Sequence, residues 1–102
     1  MAGIAANLRE LVRRGRELGL RVAVANVLPW NNGWPDAERP IRELNGLIDA
    51  FAAEENVQVL GFHDALENPG LPGRMRDEWT SDGNHPSVQG YRRLAEAAFR
   101  LP

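Results

Sequence analysis

The feature that most constrains this chain is a pair of short, apolar, β-favouring segments set among helical patterns. Arg21–Leu28 reads Arg-Val-Ala-Val-Ala-Asn-Val-Leu and is apolar at nearly every position instead of at alternate ones. Val57–Phe62 is the second such segment. Continuous apolar runs of this kind are typical of parallel strands that are covered on both faces. We therefore predict two parallel strands inside a layered α/β fold.

Helical patterns flank both strands. The first ends before Gly19, where a glycine suits a left-handed cap and Leu20 behind it suits the hydrophobic contact that accompanies such caps. The second is predicted over Pro40–Glu55 and the third over Pro86–Arg100. The residues predicted to face inward are Ile4, Leu8, Leu11, Val12 and Leu18 in the first helix, Ile41, Leu44, Leu47, Ile48 and Phe51 in the second, and Val88, Tyr91, Leu94, Ala95, Ala98 and Phe99 in the third.

The resulting order is α-β-α-β-α, which predicts right-handed crossovers and a ligand site at the carboxyl ends of the strands. At 102 residues, the chain is expected to form a single domain spanning 1–102. Two strands are too few to cover the inner faces of three helices, so the pattern also implies neighbouring strands that this chain does not supply. Residues 63–81 are predicted to be loop-rich, because prolines and glycines cluster at 69–73.

Composition and charge exclude several classes of function. The net charge is −2, and the 12 basic residues form no stripe among the 14 acidic ones, so a nucleic-acid partner is disfavoured. Without cysteine, the chain has neither a disulfide nor a thiol nucleophile, and its compartment stays open. No apolar run approaches the roughly 20 residues of a membrane span, and Met1–Leu8 lacks the regions of a signal peptide.

The strongest chemical signal is the stretch from Ser81 to Ser87, which places Asp82 and His85 three residues apart in front of Pro86. A tight turn with this spacing can bring the carboxylate to one imidazole nitrogen and leave the other nitrogen free to act as a general base. The alternative is a loop histidine beside a local Asx turn, with no part in catalysis.

This motif, Asp-Gly-x-His-Pro followed by Gly90 and Tyr91, resembles the final motif of the SGNH (GDSL-type) hydrolases. Other segments match that family in the same order: Asn7-Leu8, Val24–Pro29, Ile41 with Leu44-Asn45, and Val57–Asp64. The resemblance implies a flavodoxin-like three-layer α/β/α sandwich (the SGNH hydrolase fold). It covers essentially the whole chain, but only as the C-terminal half of the family's domain.

By this resemblance, His85 would take a proton from a serine hydroxyl and later give it to the leaving alcohol, while Asp82 would orient the imidazole. No metal and no cofactor are implied. The family's Gly-Asp-Ser motif and the other oxyanion-hole residues are not found here, since the only serines are Ser81 and Ser87. We therefore expect a truncated segment of a carboxylic ester hydrolase that is nearly inactive alone. Its substrates, once it is completed by the missing N-terminal half, would be lipid or sugar esters.

Other candidate residues keep two interpretations each. Trp30, which follows the first strand, and Trp79 are candidate walls of a substrate pocket, or else loop anchors covering the edge of the core. The pair His63-Asp64 could join the Asp-His motif in a divalent metal site. The two pairs share no helical spacing, however, and we predict no metal.

A second functional hypothesis is a non-catalytic module that self-associates. Uncovered strand edges and apolar helix faces favour pairing between chains, which makes a homo-oligomer the expected outcome.

Overall fold

The main elements follow the predicted order of helix, strand, helix, strand and helix, in a computed structural model that describes residues 1–98. The helices are α1 (Ala2–Glu17), α2 (Glu38–Glu55), α3 (Phe62–Leu66) and α4 (Val88–Ala98), and the strands are β1 (Ala23–Ala25), β2 (Gln58–Leu60), β3 (Glu67–Asn68) and β4 (Leu71–Met75). Short 3-10 turns cover Asn31–Gly33 and Asp77–Trp79. None of the helices within residues 1–98 is long and apolar enough to cross a membrane.

Strands β1 and β2 pair in parallel, as the apolar runs predict, with Val24 opposite Val59. Both strands are shorter than predicted. Beyond β1, Asn26 still donates to the carbonyl of Leu60 in β2, whereas Val27 exchanges both of its backbone hydrogen bonds with the side chain of Asn45 in α2.

The core lies between α1, α2 and one face of this small sheet. The buried cluster comprises Ala5, Val12, Val24, Leu44, Ile48, Phe51, Ala52 and Val57. The predicted inner face of α2 is confirmed, since Leu44, Ile48 and Phe51 are buried. Leu8 and Leu47 pack against the cluster from its edge.

The predicted inner face of α1 is wrong for three residues. Ile4, Leu11 and Leu18 are 48%, 66% and 77% exposed and form a stripe on the outside of the helix. Val12 is buried in the core cluster as predicted, together with Ala5, which was not predicted. Three arginines beside this buried face, at positions 9, 13 and 16, bind the Glu55 end of α2 and so set the rotation of α1.

Strand β1 is covered on one face only, which corrects the prediction that both faces are buried. Val24 is buried beneath α1 and α2, whereas Ala23 and Ala25 on the opposite face are exposed. Within residues 1–98, β1 pairs only with β2, so its other edge carries no strand.

The predicted glycine cap of α1 is confirmed. Gly19 has φ of +78° and donates to the carbonyl of Arg16, while Leu20 donates to the carbonyl of Gly15. This pair of bonds is the Schellman arrangement. Leu20 nevertheless stays 61% exposed.

The region 63–81 contains regular structure that the proline and glycine content did not indicate. Helix α3 is followed by an antiparallel hairpin of β3 and β4, whose turn holds Pro69 and Gly70. Leu66 at the end of α3 and Met75 at the end of β4 are buried, outside the main cluster. The prediction of a loop-rich region is wrong because only Pro69 and Gly70 of the cluster form the turn, whereas Pro72 and Gly73 lie within β4.

Helix α4 begins two residues after Pro86 and packs against α3 and the 3-10 turn at Asp77–Trp79. Its predicted inner face is wrong at Val88, Tyr91 and Ala95, which are exposed, since no described layer covers that side. Leu94 and Ala98 are half-buried. The predicted end of this helix at Arg100, and the predicted inward position of Phe99, lie outside the described residues.

Candidate active site

Asp82 and His85 form a hydrogen-bonded pair in the turn that precedes α4. Oδ2 of Asp82 lies 2.8 Å from Nδ1 of His85. The other carboxylate oxygen, Oδ1, accepts the backbone N–H groups of Asn84 and His85, each at 2.8 Å. The carboxylate therefore holds both the backbone of the turn and the imidazole ring, leaving Nε2 as the nitrogen that faces away from Asp82.

The hydrogen bonds around Asp82 also favour its ionised form. They lower the pKa of the Asp82 carboxyl from its ordinary value of 3.8 to about 2, with the His85 side chain as the largest cause and the backbone N–H groups of His85 and Asn84 next. The carboxylate therefore keeps its charge at neutral pH and well into the acid range. The side chains of Asp82 and His85 are 49% and 68% exposed, so this pair lies open at the surface.

The turn is closed by Thr80. Its hydroxyl donates to the carbonyl of His85 at 2.8 Å and accepts the N–H of Gly83 at 2.9 Å. Thr80 also forms an isolated antiparallel bridge with Pro86. Gly83 has φ of +85°, a backbone conformation that side-chain-bearing residues rarely adopt, so this position of the turn suits glycine.

The start of α4 is packed tightly against the preceding segment. A methyl group added at Gly90 would lie 2.2 Å from the Trp79 carbonyl oxygen. The hydroxyl of Ser87 donates to the carbonyl of Glu78 at 2.5 Å and accepts the N–H of Gly90. These contacts tie α4 to the turn and explain why a glycine follows the His-Pro motif at this distance.

A second loop supports the Asp82–His85 turn from outside. The Asn32 side chain donates to the Asp82 carbonyl at 2.9 Å and to Oδ1 of Asn84 at 2.8 Å. The indole N–H of Trp30 donates to the same Asn84 oxygen at 2.6 Å. Sequence reasoning missed Asn32 and Asn84. The signal available was the run of asparagines after the first strand, at the sheet edge where ligand sites form.

The three loop tryptophans have different surroundings. Trp30 is joined to the Asp82–His85 turn and is 46% exposed. The Trp79 ring is half-buried beneath two guanidinium groups, those of Arg93 at 4.1 Å and Arg76 at 5.2 Å from its centroid. The Trp34 ring has Arg74 at 5.4 Å. Trp79 is thus connected to the site through its backbone, which accepts the N–H of Ser87.

Neither serine is placed as a nucleophile for His85. Ser87 uses its hydroxyl on the backbone at Glu78 and Gly90, and Ser81 contributes a backbone N–H to the carbonyl of His85. Among residues 1–98 no serine hydroxyl is hydrogen-bonded to the imidazole.

The two Asp-His pairs of the sequence do not share one site. His63 is buried in α3 with Nδ1 3.6 Å from the carboxylate of Asp64, and Glu67 joins them, the three ligand atoms lying within 4.8 Å of one another. Glu67 is already bound by Arg42 at 3.1 Å and by the N–H of Gly73 at 2.8 Å. This cluster could offer a metal one imidazole and two carboxylates, with a guanidinium competing for one of them.

Comparison with known proteins gives a consistent result. The family model described as GDSL-like lipase/acylhydrolase matches residues 1–93. A GDSL-like lipase from Bacteroides thetaiotaomicron VPI-5482 superposes with a TM-score of 0.84 at 21% identity, the match covering 94% of this chain and 49% of that one. A proposed acylhydrolase from Bacteroides fragilis NCTC 9343 gives a TM-score of 0.83 at 21% identity, with 94% and 48% covered.

The chain therefore spans about half the length of these solved structures. At this level of identity, the superpositions show the shared α/β fold with parallel strands. No curated protein matches the chain.

Proposed function

The chain belongs to the GDSL-like lipase/acylhydrolase family, and on that premise we propose that it supplies the general base of a carboxylic ester hydrolase. The observation that carries this proposal is the 2.8 Å contact between Oδ2 of Asp82 and Nδ1 of His85. A histidine held this way has one nitrogen bound to a carboxylate and one available for proton transfer, which is the working arrangement of a catalytic histidine.

The proposed mechanism follows from the two nitrogens. Nε2 of His85 takes the proton of an attacking hydroxyl as the tetrahedral intermediate forms, and gives it to the departing alcohol. A water molecule then attacks the acyl intermediate, giving a proton to Nε2, which passes it to the departing nucleophile. Asp82 stays ionised throughout, because the pKa of its carboxyl is about 2, and it stabilises the imidazolium that forms in each half-reaction.

The nucleophile is proposed to come from a polypeptide segment outside this chain. Neither Ser81 nor Ser87 is placed for the role, and the family's Gly-Asp-Ser motif is not found in these 102 residues. The chain's span of about half the matched structures agrees with this division. We accordingly expect the chain alone to hydrolyse esters at close to the background rate, because both the nucleophile and most oxyanion donors are missing.

For the substrate, we propose an acyl or acetyl ester of a lipid or sugar, with Trp30 as one wall of its pocket. Trp30 supports this role because its indole is bound to the Asp82–His85 turn, which we call the catalytic turn, while 46% of the residue is exposed. Trp79 remains a second candidate, although two guanidinium groups already occupy the surroundings of its ring.

The proposal is tested by restoring the missing half. The chain is joined behind, or co-expressed with, the N-terminal half of a family member that carries the Gly-Asp-Ser motif, and hydrolysis of p-nitrophenyl acetate is measured. We expect turnover that His85→Ala and Asp82→Asn each reduce by about 10³-fold or more. Asp64→Asn, the same substitution at an exposed carboxylate outside the turn, serves as the matched control and should leave the rate unchanged.

Two results would contradict the proposal. One is a complemented enzyme whose rate is unaffected by His85→Ala. The other is robust turnover by the chain alone that survives His85→Ala, because this would place the reactive group elsewhere in the molecule.

A second candidate function is a self-associating module, favoured by the outward stripe of Ile4, Leu11 and Leu18 on α1. These side chains are each roughly half or more exposed, and among the described residues one edge of β1 has no strand partner. Exposed apolar stripes and open strand edges both favour pairing with another chain.

Light scattering during gel filtration separates this candidate from a monomer. Leu11→Lys should lower the apparent mass if the stripe mediates association. Leu71→Lys, at a 51% exposed leucine on the distant hairpin, is the matched control and should not. A wild-type chain that remains monomeric over a wide range of concentration contradicts self-association.

A further inference from the structure

Asn32 contacts the catalytic turn at three successive residues. Its Nδ2 donates to the carbonyl of Asp82 at 2.9 Å and to the side-chain oxygen of Asn84 at 2.8 Å. Its backbone N–H donates to the carbonyl of Gly83 at 3.3 Å. These contacts run along the segment that separates Asp82 from His85, so one residue, through its side chain and its backbone N–H, supports the whole span between the two members of the pair.

The fit between Asn32 and the turn is close. A methyl group built on Gly83 would lie 2.3 Å from Oδ1 of Asn32. Glycine therefore suits position 83 in two ways: it adopts the left-handed backbone of the turn, and its lack of a side chain leaves room for the Asn32 carboxamide. The two partners of Nδ2 are both oxygen atoms that accept hydrogen bonds, so residue 32 must supply a donor group.

Asn32 is itself held by a rigid neighbour. The adjacent Asn31 exchanges two hydrogen bonds with the backbone of Met75, donating to its carbonyl at 3.0 Å and accepting its N–H at 2.7 Å. Met75 is 2% exposed. The loop after β1 is thus fastened to a buried residue of β4 on one side and to the exposed catalytic turn on the other. Trp30, from the same loop, adds a second donor to Asn84.

We propose that Asn32 is the positioning residue of the Asp82–His85 pair, acting through Asn84 and the Asp82 carbonyl, with the Trp30 indole in support. The turn is exposed, and besides the Trp30 indole its other side-chain support from outside the Asp82–His85 segment is Thr80, so its geometry depends on the Asn32 contact. Without the Nδ2 donor, Asp82 and Asn84 would each lose a bond and the turn would sample conformations in which Oδ2 and Nδ1 lie farther apart. The catalytic consequence rests on the proposed function, whereas the geometric effect does not.

The test is made by NMR on the full chain and needs no ester hydrolysis. Two signals report the Asp82–His85 bond: the downfield Nδ1 proton of His85, and the pKa of the Asp82 carboxyl, about 2 in the native chain. We expect Asn32→Ala to broaden or remove the proton signal and to raise the Asp82 pKa toward 3.8. Asn68→Ala is the matched control. It removes an asparagine that likewise binds a loop backbone, at Gly70, but far from the turn, and both signals should stay as in the native chain.

If Asn32→Ala does not fold, two milder variants provide the same measurement. Asn32→Asp preserves the volume and removes the donor, so it should lose the proton signal as Asn32→Ala does. Trp30→Phe removes only the indole donor and should weaken the signal partially. If Asn32→Asp or Asn32→Ala retains both signals, Asn32 does not position the pair and the proposal fails. That result would not affect the esterase proposal. Conversely, if the NMR effects are present but the complemented enzyme is inactive, the esterase proposal fails and the positioning role of Asn32 is retained.

Discussion

The carboxamide of Asn45 replaces a strand partner for Val27. Its Oδ1 accepts the Val27 N–H at 2.7 Å and its Nδ2 donates to the Val27 carbonyl at 3.0 Å. Asn45 lies on the buried face of α2, beside Leu44 and Ile48. A helix side chain thus continues the hydrogen bonding of β1 beyond its last residue and holds the loop that carries Trp30 and Asn32.

Asn45→Ala should therefore destabilise the chain. The change leaves the N–H and carbonyl of Val27 without their partners, at a cost of about 1–3 kcal/mol in the free energy of unfolding. Urea denaturation measures the effect. Asn7→Ala, at an exposed position of α1, is the matched control and should change stability by less than about 0.5 kcal/mol. Equal effects of the two substitutions would show that the Val27 contact contributes nothing.

Two glycines should respond oppositely to alanine. At Gly90 the added methyl group would lie 2.2 Å from the Trp79 carbonyl oxygen, so Gly90→Ala should destabilise by about 1–3 kcal/mol through overpacking. Gly46 lies in the interior of α2 with nothing within 4 Å of the same position, and Gly46→Ala should stabilise by about 0.5–1 kcal/mol. Thermal unfolding should show a lower melting temperature for Gly90→Ala and a higher one for Gly46→Ala than for the native chain. A neutral Gly90→Ala would mean that α4 can move away from the turn without cost.

The stability contributed by the Asp82 carboxylate should disappear in acid. Because the folded chain lowers the pKa of this carboxyl from 3.8 to about 2, the contribution is fully present above about pH 4 and is lost as the pH falls toward 2. The difference in unfolding free energy between the native chain and Asp82→Asn should follow the same course. Denaturation at a series of pH values measures it, and a difference that stays constant from pH 5 to 2 would contradict the assignment.

The ion pairs between α1 and α2 predict a salt-dependent stability. Glu55 accepts the Nε groups of Arg9 and Arg13, each at 2.8 Å, and these bonds, with Arg9 first, lower the pKa of the Glu55 carboxyl. Glu55→Gln should lower the melting temperature at low ionic strength, and the loss should shrink in about 1 M salt, where charges are screened beyond roughly 3 Å. Glu10→Gln, at an exposed carboxylate 3.7 Å from Arg14, is the control with little expected effect. A loss independent of salt would indicate packing instead of charge.

Local patterns in the sequence were sufficient to predict the order of the main elements, the parallel pairing of β1 with β2, the glycine cap of α1 and the family. Each depends on neighbours along the chain: apolar runs for strands, helical spacing for α2, and Gly19 behind the last turn of α1. The proximity of Asp82 and His85 belongs to the same group, because a tight turn with a spacing of three residues brings the two side chains near each other.

Other features depended on contacts between residues far apart in sequence. The outward rotation of Leu11 and Tyr91 could not be predicted, since helical spacing identifies an apolar stripe but not whether any layer of the chain lies over it. The hairpin of β3 and β4 was missed because its strands are too short to show a period.

The sequence by itself determined the chemistry of the candidate site, because Asp82, His85 and the glycine between them are neighbours along the chain and their spacing already dictates a turn. Only the tertiary structure decided what holds that turn in place. Asn32 and Asn84 are 52 positions apart in the sequence. Their hydrogen bond forms only because the loop after β1 and the turn before α4 lie next to each other in the folded chain. Local spacing carries no information about that meeting, since it arises from the packing of the helices on the strands.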